Sequence, residues 1–429
     1  MGASRGGTAV ALAFIVLCIA CACCWGKVID YESVGGIPDD DSYLAAHHNG
    51  KLLNSTINGL LPDDVLFIPN KTFSLIGGIV ARDLFNVTFL IDGTLSFSDD
   101  RNTWPKDGDG YVLECIYMEN IEDVIFTSSS VGILNGNGRK WWGAVQYLKN
   151  QEDRPRLLQI NVSKNVLVEH LLLKDSPFWT FYAQQSNGLI VRYTDVDARW
   201  TDEDSHTLLD LQAFNTDGFD VSGVDVHIHD CSIWNQDDCI SVKGNSANML
   251  FERISCSGLG LVVGSIGDSR VHNITFRDSV MPNTVKGIYL KTRWSDSSPI
   301  GDSVSISDVL YENITITKAQ QFAIWIGPAQ QTGQCSLLWP IADNATCSMS
   351  GFQRWTNITL RNIYIYNPVG SPGVLYGNSS FPIEYLLFDN VVVVNPGSQP
   401  WGDDYYFCEG VHGYSTGGTH PVPPCFTEL

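Results

Sequence analysis

Asn215-Thr216-Asp217-Gly218, Asn235-Gln236-Asp237-Asp238-Cys239, Gly258-Leu259-Gly260 and Gly287-Ile288-Tyr289-Leu290-Lys291 follow one another within a single stretch of the chain. Asp217 and Asp238 are 21 residues apart, and Leu259 lies another 21 beyond. A period of about 20–25 residues fits neither an α-helix nor a hairpin. It is the length of one coil of a parallel β-helix, in which every turn stacks on the last. Residues one coil apart then stand about 4.8 Å apart along the stack. Asp217 and the Asp237/Asp238 pair therefore meet on one face, supplied by neighbouring coils. Thr-Asp-Gly alone is an ordinary turn, and Asp-Asp alone an ordinary solvated loop. Their coincidence at coil spacing is what points to chemistry. Three carboxylates in one patch resist ionising together, so at least one pKa should rise, as a general acid paired with a general base requires.

Outward from this stretch a short phrase recurs: an apolar run, a polar pair, another apolar run. It reads Val166-Leu167-Val168-Glu169-His170-Leu171, Ile190-Val191-Arg192-Tyr193 and Ile274-Thr275-Phe276-Arg277-Asp278. It returns as Val309-Leu310-Tyr311-Glu312-Asn313, Ile358-Thr359-Leu360-Arg361-Asn362 and Leu386-Leu387-Phe388-Asp389-Asn390. Alternating Val, Ile and Phe predict strands, and the Asn and Asp residues suit left-handed bends that stack as ladders. One phrase is too short to make a core; stacked copies share one. The 49 residues from Tyr311 to Leu360 imply an inserted loop, holding Cys335 and Cys347. Near the start, Asp39 to Leu61 contains the one predicted helix, beginning near Ser42 and stopped before Pro62; it would cover the open edge of the first coil. Val65-Leu66-Phe67-Ile68 reads as the first buried strand. The expected fold is all-β, a parallel β-helix with a short N-terminal capping helix.

The ends and the composition set the context. An apolar run from Ala9 to Ala22, after Arg5 and before polar sequence from Lys27, reads as a secretory signal peptide over residues 1–22, with Ala20-Cys21-Ala22 as the small-x-small site. Residues 23–429 then form one domain, since no linker or composition break interrupts them. No later run is long and apolar enough to span a bilayer. A net charge of −21, from 47 acidic and 26 basic residues, argues against nucleic-acid or anionic-membrane partners. Eight cysteines lie outside the signal region, an even number that reads as disulfides in an exported chain. Cys239 and Cys256, 17 residues apart on adjacent coils, are the first pair; Cys408–Cys425 and Cys335–Cys347 close the tail and the inserted loop; Cys115–Cys231 remains by elimination. Nine Asn-x-Ser/Thr sequons, among them Asn161, favour a eukaryotic secretory route.

These residues resemble a known family, the polygalacturonase-type glycoside hydrolases (family 28) that cleave pectin. Gly36-Ile37-Pro38-Asp39-Asp40, Asn135-Gly136-Asn137-Gly138 followed by Trp141-Trp142, Arg154-Pro155 and Ser176-Pro177-Phe178-Trp179-Thr180 all match its phrases, and Asn-Thr-Asp-Gly followed by Gln-Asp-Asp-Cys is highly specific. The resemblance implies a right-handed parallel β-helix, secreted, monomeric, with a pectic polysaccharide as substrate and no metal or organic cofactor. It implies that Asp237 is the general acid, that Asp217 and Asp238 hold and deprotonate the attacking water, and that the anomeric carbon is inverted. Inverting carboxylates sit about 6.5–9.5 Å apart to admit that water, a gap adjacent coils can span. Asn215 would orient the groove.

Two positions depart from the family's pattern. Leu259 stands where the family carries a histidine that tunes the acid, and Tyr289 where it carries an arginine. That arginine, with the lysine matched by Lys291, binds the galacturonate carboxylate. Leu carries no charge, and Tyr lacks a bidentate fork. The expectation is a groove lined by Leu259 and Tyr289 beside Asp237, with weak recognition of polygalacturonate and rhamnogalacturonan as the leading alternative substrate; family members that cleave it also lack the histidine. A lapsed carbohydrate-binding β-helix is the reading from another class, against which three retained Asp residues argue. A purely structural β-helix leaves the Asp cluster unexplained, and no calcium-and-arginine set for a lyase is assembled. His206, His227 and His229 read as strand or loop histidines.

Overall fold

The computed structural model describes residues 26–143, 153–201, 206, 207, 210–293, 305–331, 333–349 and 353–429. The expected signal peptide lies outside the described residues. Their strands hydrogen-bond into one sheet system whose paired strands all run parallel, wound as a right-handed β-helix. The repeat anticipated from sequence is the observed register. Phe219 pairs with Ile240 and Ile240 with Leu261, 21 residues on each time.

Three stacks run the length of the molecule. The first passes through Ile79, Ile116, Leu158, Phe181, Phe219, Ile240, Leu261, Ile288 and Ile324 as successive partners. The second contains the recurring phrases, with Ile274 paired to Val309, Val309 to Ile358 and Ile358 to Leu386. The third begins at Thr72–Leu75. Early coils use 12-residue strands such as Phe181–Arg192 that span the first two stacks, while later ones, such as Ser246–Ser257, span the second and third. The 16-residue strand Phe219–Trp234 spans all three. The coil that switches from one arrangement to the other is thus the coil that carries Asp217.

Alternation supplies the core. Inward side chains such as Phe251, Phe276 and Tyr311 are fully buried, and their rings stack at 4.6 and 4.7 Å from coil to coil. Each bend needs a positive φ, and Asp225, Asn248, Asn273, Asp308 and Asn357 supply it at 54–56°. Their side chains form a ladder, Asn273 donating to Asn248 at 2.9 Å and Asn248 to Asp225 at 3.2 Å. Asn and Asp tolerate this conformation because a short polar side chain can bond locally.

The helix Tyr43–Ile57 has Ser42 as its N-cap, the hydroxyl accepting from the Ala45 amide at 3.2 Å. Its buried face, which includes Ala46, Asn49, Leu53 and Ile57, covers the starts of the first and third stacks, where no earlier strand is present to pair. Val65–Ile68 is the first strand with buried residues, as the sequence suggested; it pairs with a short strand, Val28–Asp30, none of whose residues is buried. Cys239–Cys256, Cys335–Cys347 and Cys408–Cys425 are bridged. The pairing of Cys115 with Cys231 is a correction: both are buried and free. Cys115 precedes Ile116, three coils before Phe219–Trp234, and three strand spacings are about 14 Å, twice the reach of a disulfide. Elimination ignored that distance.

Candidate active site

The acids sit in turns at the entrances to consecutive strands of the first stack. Asp217 precedes Phe219, Asp237 and Asp238 precede Ile240, and Leu259 precedes Leu261. One buried amide fixes their register: the Asn235 side chain donates to the carbonyl of Thr216 at 2.8 Å and of Asp238 at 2.9 Å. The Gly218 amide donates to the Asp238 carbonyl at 2.8 Å, and the Leu259 amide to that of Asp237 at 2.7 Å. Glycine is required where these turns touch. A Cβ on Gly218 would lie 2.4 Å from the Cys239 carbonyl oxygen, and one on Gly258 2.1 Å from the Asn235 side-chain oxygen. The Cys239–Cys256 bridge, Cα to Cα 5.9 Å, ties the second turn to the next coil.

Carboxylate oxygens of Asp217, Asp237 and Asp238 all lie within 4.8 Å of one another. All three are buried, with Asp217 and Asp237 keeping 4% and 6% exposure. This closest approach is shorter than the 6.5–9.5 Å gap anticipated from sequence, because turns on adjacent coils are only one strand spacing apart.

A fourth carboxylate joins them. Asp220, fully buried, pairs in register with Ser241, and Lys243 reaches it at 3.0 Å and Asp217 at 3.9 Å. Lys291 grips Asp238 at 2.7 Å. Neither Asp220 nor Lys243 was marked by motif spacing. The available signal was an acid between Phe219 and Val221 in a buried strand, a position that demands a charged partner.

Burial pushes the Asp237 carboxyl up to about 6, the nearby Asp238 charge adding to the effect. Burial likewise raises Asp217 well above the carboxylate range, reinforced by Asp220 and Asp237. Burial alone would lower Lys243 and Lys291, but the surrounding carboxylates outweigh it and raise both. Two ammoniums stand against four acids here, and this surplus of carboxylates opposes full ionisation of Asp217, Asp220 and Asp237. Three carboxylates this close could also ligate a divalent cation. Here Lys291 already engages both oxygens of Asp238, at 2.9 and 2.7 Å, and the lysines supply the compensating charge.

The remaining sequence candidates fall differently. Asn215 is half-buried in the turn before Thr216, at φ 60°. Leu259 is half-buried beside the Asp237 backbone. Tyr289 is 2% exposed rather than open to the groove, its ring 4.5 Å from both the Lys286 and the Lys291 ammonium. Lys286 is itself buried, and burial, reinforced by Lys291, pulls its pKa down to about 7. His227 and His229 pair with Glu252 and Asp230 on the second stack, away from the acids. His206 stands closer: its Nδ1 lies 3.1 Å from the Gln236 side-chain oxygen, one residue before Asp237, and its ring stacks on Trp234. A loop thus brings a histidine to the acid turn from a position no spacing rule marks.

Fold and site together define a class: a parallel β-helix with buried, lysine-compensated carboxylates at the mouths of adjacent coils. Residues 66–363 match the family model of glycosyl hydrolases family 28, and the chain belongs to that family. It is 28% identical over 261 residues to a probable endopolygalacturonase A of Aspergillus kawachii, an alignment covering 59% of this chain and 65% of that relative. The match thus spans just under two thirds of the relative's length. Among solved structures it resembles endopolygalacturonase I from Stereum purpureum complexed with two galacturonate (TM-score 0.62, 18% identity, 82% of this chain and 94% of that one). It also resembles a hyperthermoactive exopolygalacturonase from Thermotoga maritima (TM-score 0.59, 15% identity, 91% and 90%). These two likenesses concern the fold.

Proposed function

We propose that the protein is a secreted glycoside hydrolase that cleaves pectic polysaccharide with inversion. The observation that carries this reading is the Asp217–Asp237–Asp238 cluster, one member of which is raised to about 6 within 4.8 Å of two others. Asp237 gives its proton to the glycosidic oxygen as the bond from the anomeric carbon breaks. A water held by Asp217 and Asp238 attacks that carbon, and its proton passes to one of these two carboxylates. The products are a new reducing end and a free hydroxyl. The relatives named endopolygalacturonases support a galacturonate-containing polymer. Tyr289 withdrawn from the groove and Lys291 committed to Asp238 support a site that reads a carboxylate weakly, which favours a polymer with neutral sugars such as rhamnogalacturonan. The test is release of reducing ends from homogalacturonan and from rhamnogalacturonan. Asp237→Asn should lower turnover by about 10²–10⁴-fold while binding is kept; a variant with full rate would remove the acid from this role.

A further inference from the structure

The first stack has two faces, and downstream of the acids its outer face is not open. Going up the stack from Ser241, the outward column reads Val262, Tyr289, Trp325, Val374 and Phe407, each paired with the next. Val262, Trp325 and Val374 are fully buried, and Tyr289 nearly so. They belong to a hydrophobic cluster separate from the core, closed over by Phe322, Trp339 and Trp401. Trp339 lies on the inserted loop, bridged at its base by Cys335–Cys347.

Gln330 ties this loop to the groove floor. Its side-chain oxygen accepts from Lys286 at 2.8 Å, and its side-chain nitrogen donates to the carbonyls of Ser336 and Trp339 at 3.4 and 3.3 Å. The Tyr376 hydroxyl holds the far side, donating to the Cys347 carbonyl at 3.3 Å. Upstream the same column is polar and partly open: Tyr182, in register with Asp220, and Tyr117 are half-exposed, with buried Gln159 between them.

We infer that the cleft is a dead end, walled by the disulfide-held loop one or two coils beyond Asp238, and that the protein therefore works from one end of a polysaccharide chain. One or two strand spacings are about 5–10 Å, room for the terminal one or two sugars and no more. The polymer enters from the half-exposed Tyr117–Tyr182 side, and the released fragment is a mono- or disaccharide. This inference rests on the glycosidase reading.

The test follows viscosity and reducing ends together on both pectic polymers, with products sized by chromatography. Monomer or dimer from the first time points, with viscosity nearly unchanged, supports the dead end. Early collapse of viscosity with a ladder of intermediate lengths overturns it. If neither polymer is hydrolysed, the glycosidase reading falls by itself, and the wall is read by binding. Asp237→Asn protein is then titrated with galacturonan and rhamnogalacturonan oligosaccharides carrying a bulky fluorophore at one end or the other. One tag position should weaken binding by about tenfold or more while the other leaves it unchanged. Indifference to both tags, or no binding, overturns the inference.

Discussion

At the scale of residues, Asp237 makes the sharpest commitments. Burial raises its carboxyl from 3.8 to about 6, so the proton needed by the leaving oxygen is present below that value and lost above it. The rate on a pectic polymer should therefore fall as pH rises through about 6, measured as the alkaline limb of a kcat/KM profile. Stability follows the same group with a definite sign. Between 3.8 and about 6 the folded chain keeps a proton that the unfolded chain has released. Stability is lost as pH rises across that window. Asp217, also raised by burial, adds in the same direction. Thermal melts of the parent should fall relative to those of Asp237→Asn across this range; parallel curves would contradict the assignment. The meeting of Asp217, Asp237 and Asp238 was legible because their spacing matches the repeat of the fold. Asp220 and Lys243 were not, because an acid inside a strand announces itself only once its neighbours across the sheet are known. Tyr289 shows the other failure: spacing located it, but only packing shows that it is buried.

Among elements, the turns entering the first stack are held by few contacts, and each can be removed singly. Asn235→Ala deletes both donors that clamp the Asp217 and Asp238 turns; the buried Thr216 carbonyl loses its partner, while that of Asp238 keeps the Gly218 amide. The cost should be about 1–3 kcal/mol in denaturant unfolding, the range for one unsatisfied buried group, with a larger fractional loss of turnover than of binding. A stability change under 1 kcal/mol, on the order of an ordinary surface substitution, would show that the turns hold themselves. Tyr289→Arg, which would place the family's residue at this position, is expected to destabilise the protein. It would place a third cation between Lys286 and Lys291 inside an aromatic cluster. Melting at or above the parent's temperature, with improved polygalacturonate hydrolysis, would contradict that. The strands and the start of the capping helix were readable because alternation and a Ser cap act locally; the helix ends at Ile57, with Asn58 as its C-cap, ahead of the expected stop at Pro62. The Cys115–Cys231 pairing failed because it is a three-coil question. A peptide map after alkylation in denaturant without reduction should find both thiols labelled.

For the whole molecule, the β-helix explains why so much was visible in one stretch of sequence. Stacking converts a 21-residue interval into a strand spacing, so residues distant in the chain become one site with no long-range coincidence required. What stacking does not encode is the inserted loop, whose course over the outer face closes one end of the cleft. The central claim is that this cluster hydrolyses a glycosidic bond by adding water from the face opposite the leaving group. Its carboxylate oxygens approach within 4.8 Å, closer than the roughly 6.5–9.5 Å usual for inversion, so the stereochemistry of the product tests the claim most directly. Proton NMR should follow the anomeric signals of the first reducing ends released from homogalacturonan or rhamnogalacturonan, before mutarotation mixes them. The account predicts that the new ends appear first in the inverted configuration and that Asp237→Asn releases none on the same timescale. Ends appearing first with retained configuration, or no ends from either polymer, would contradict it.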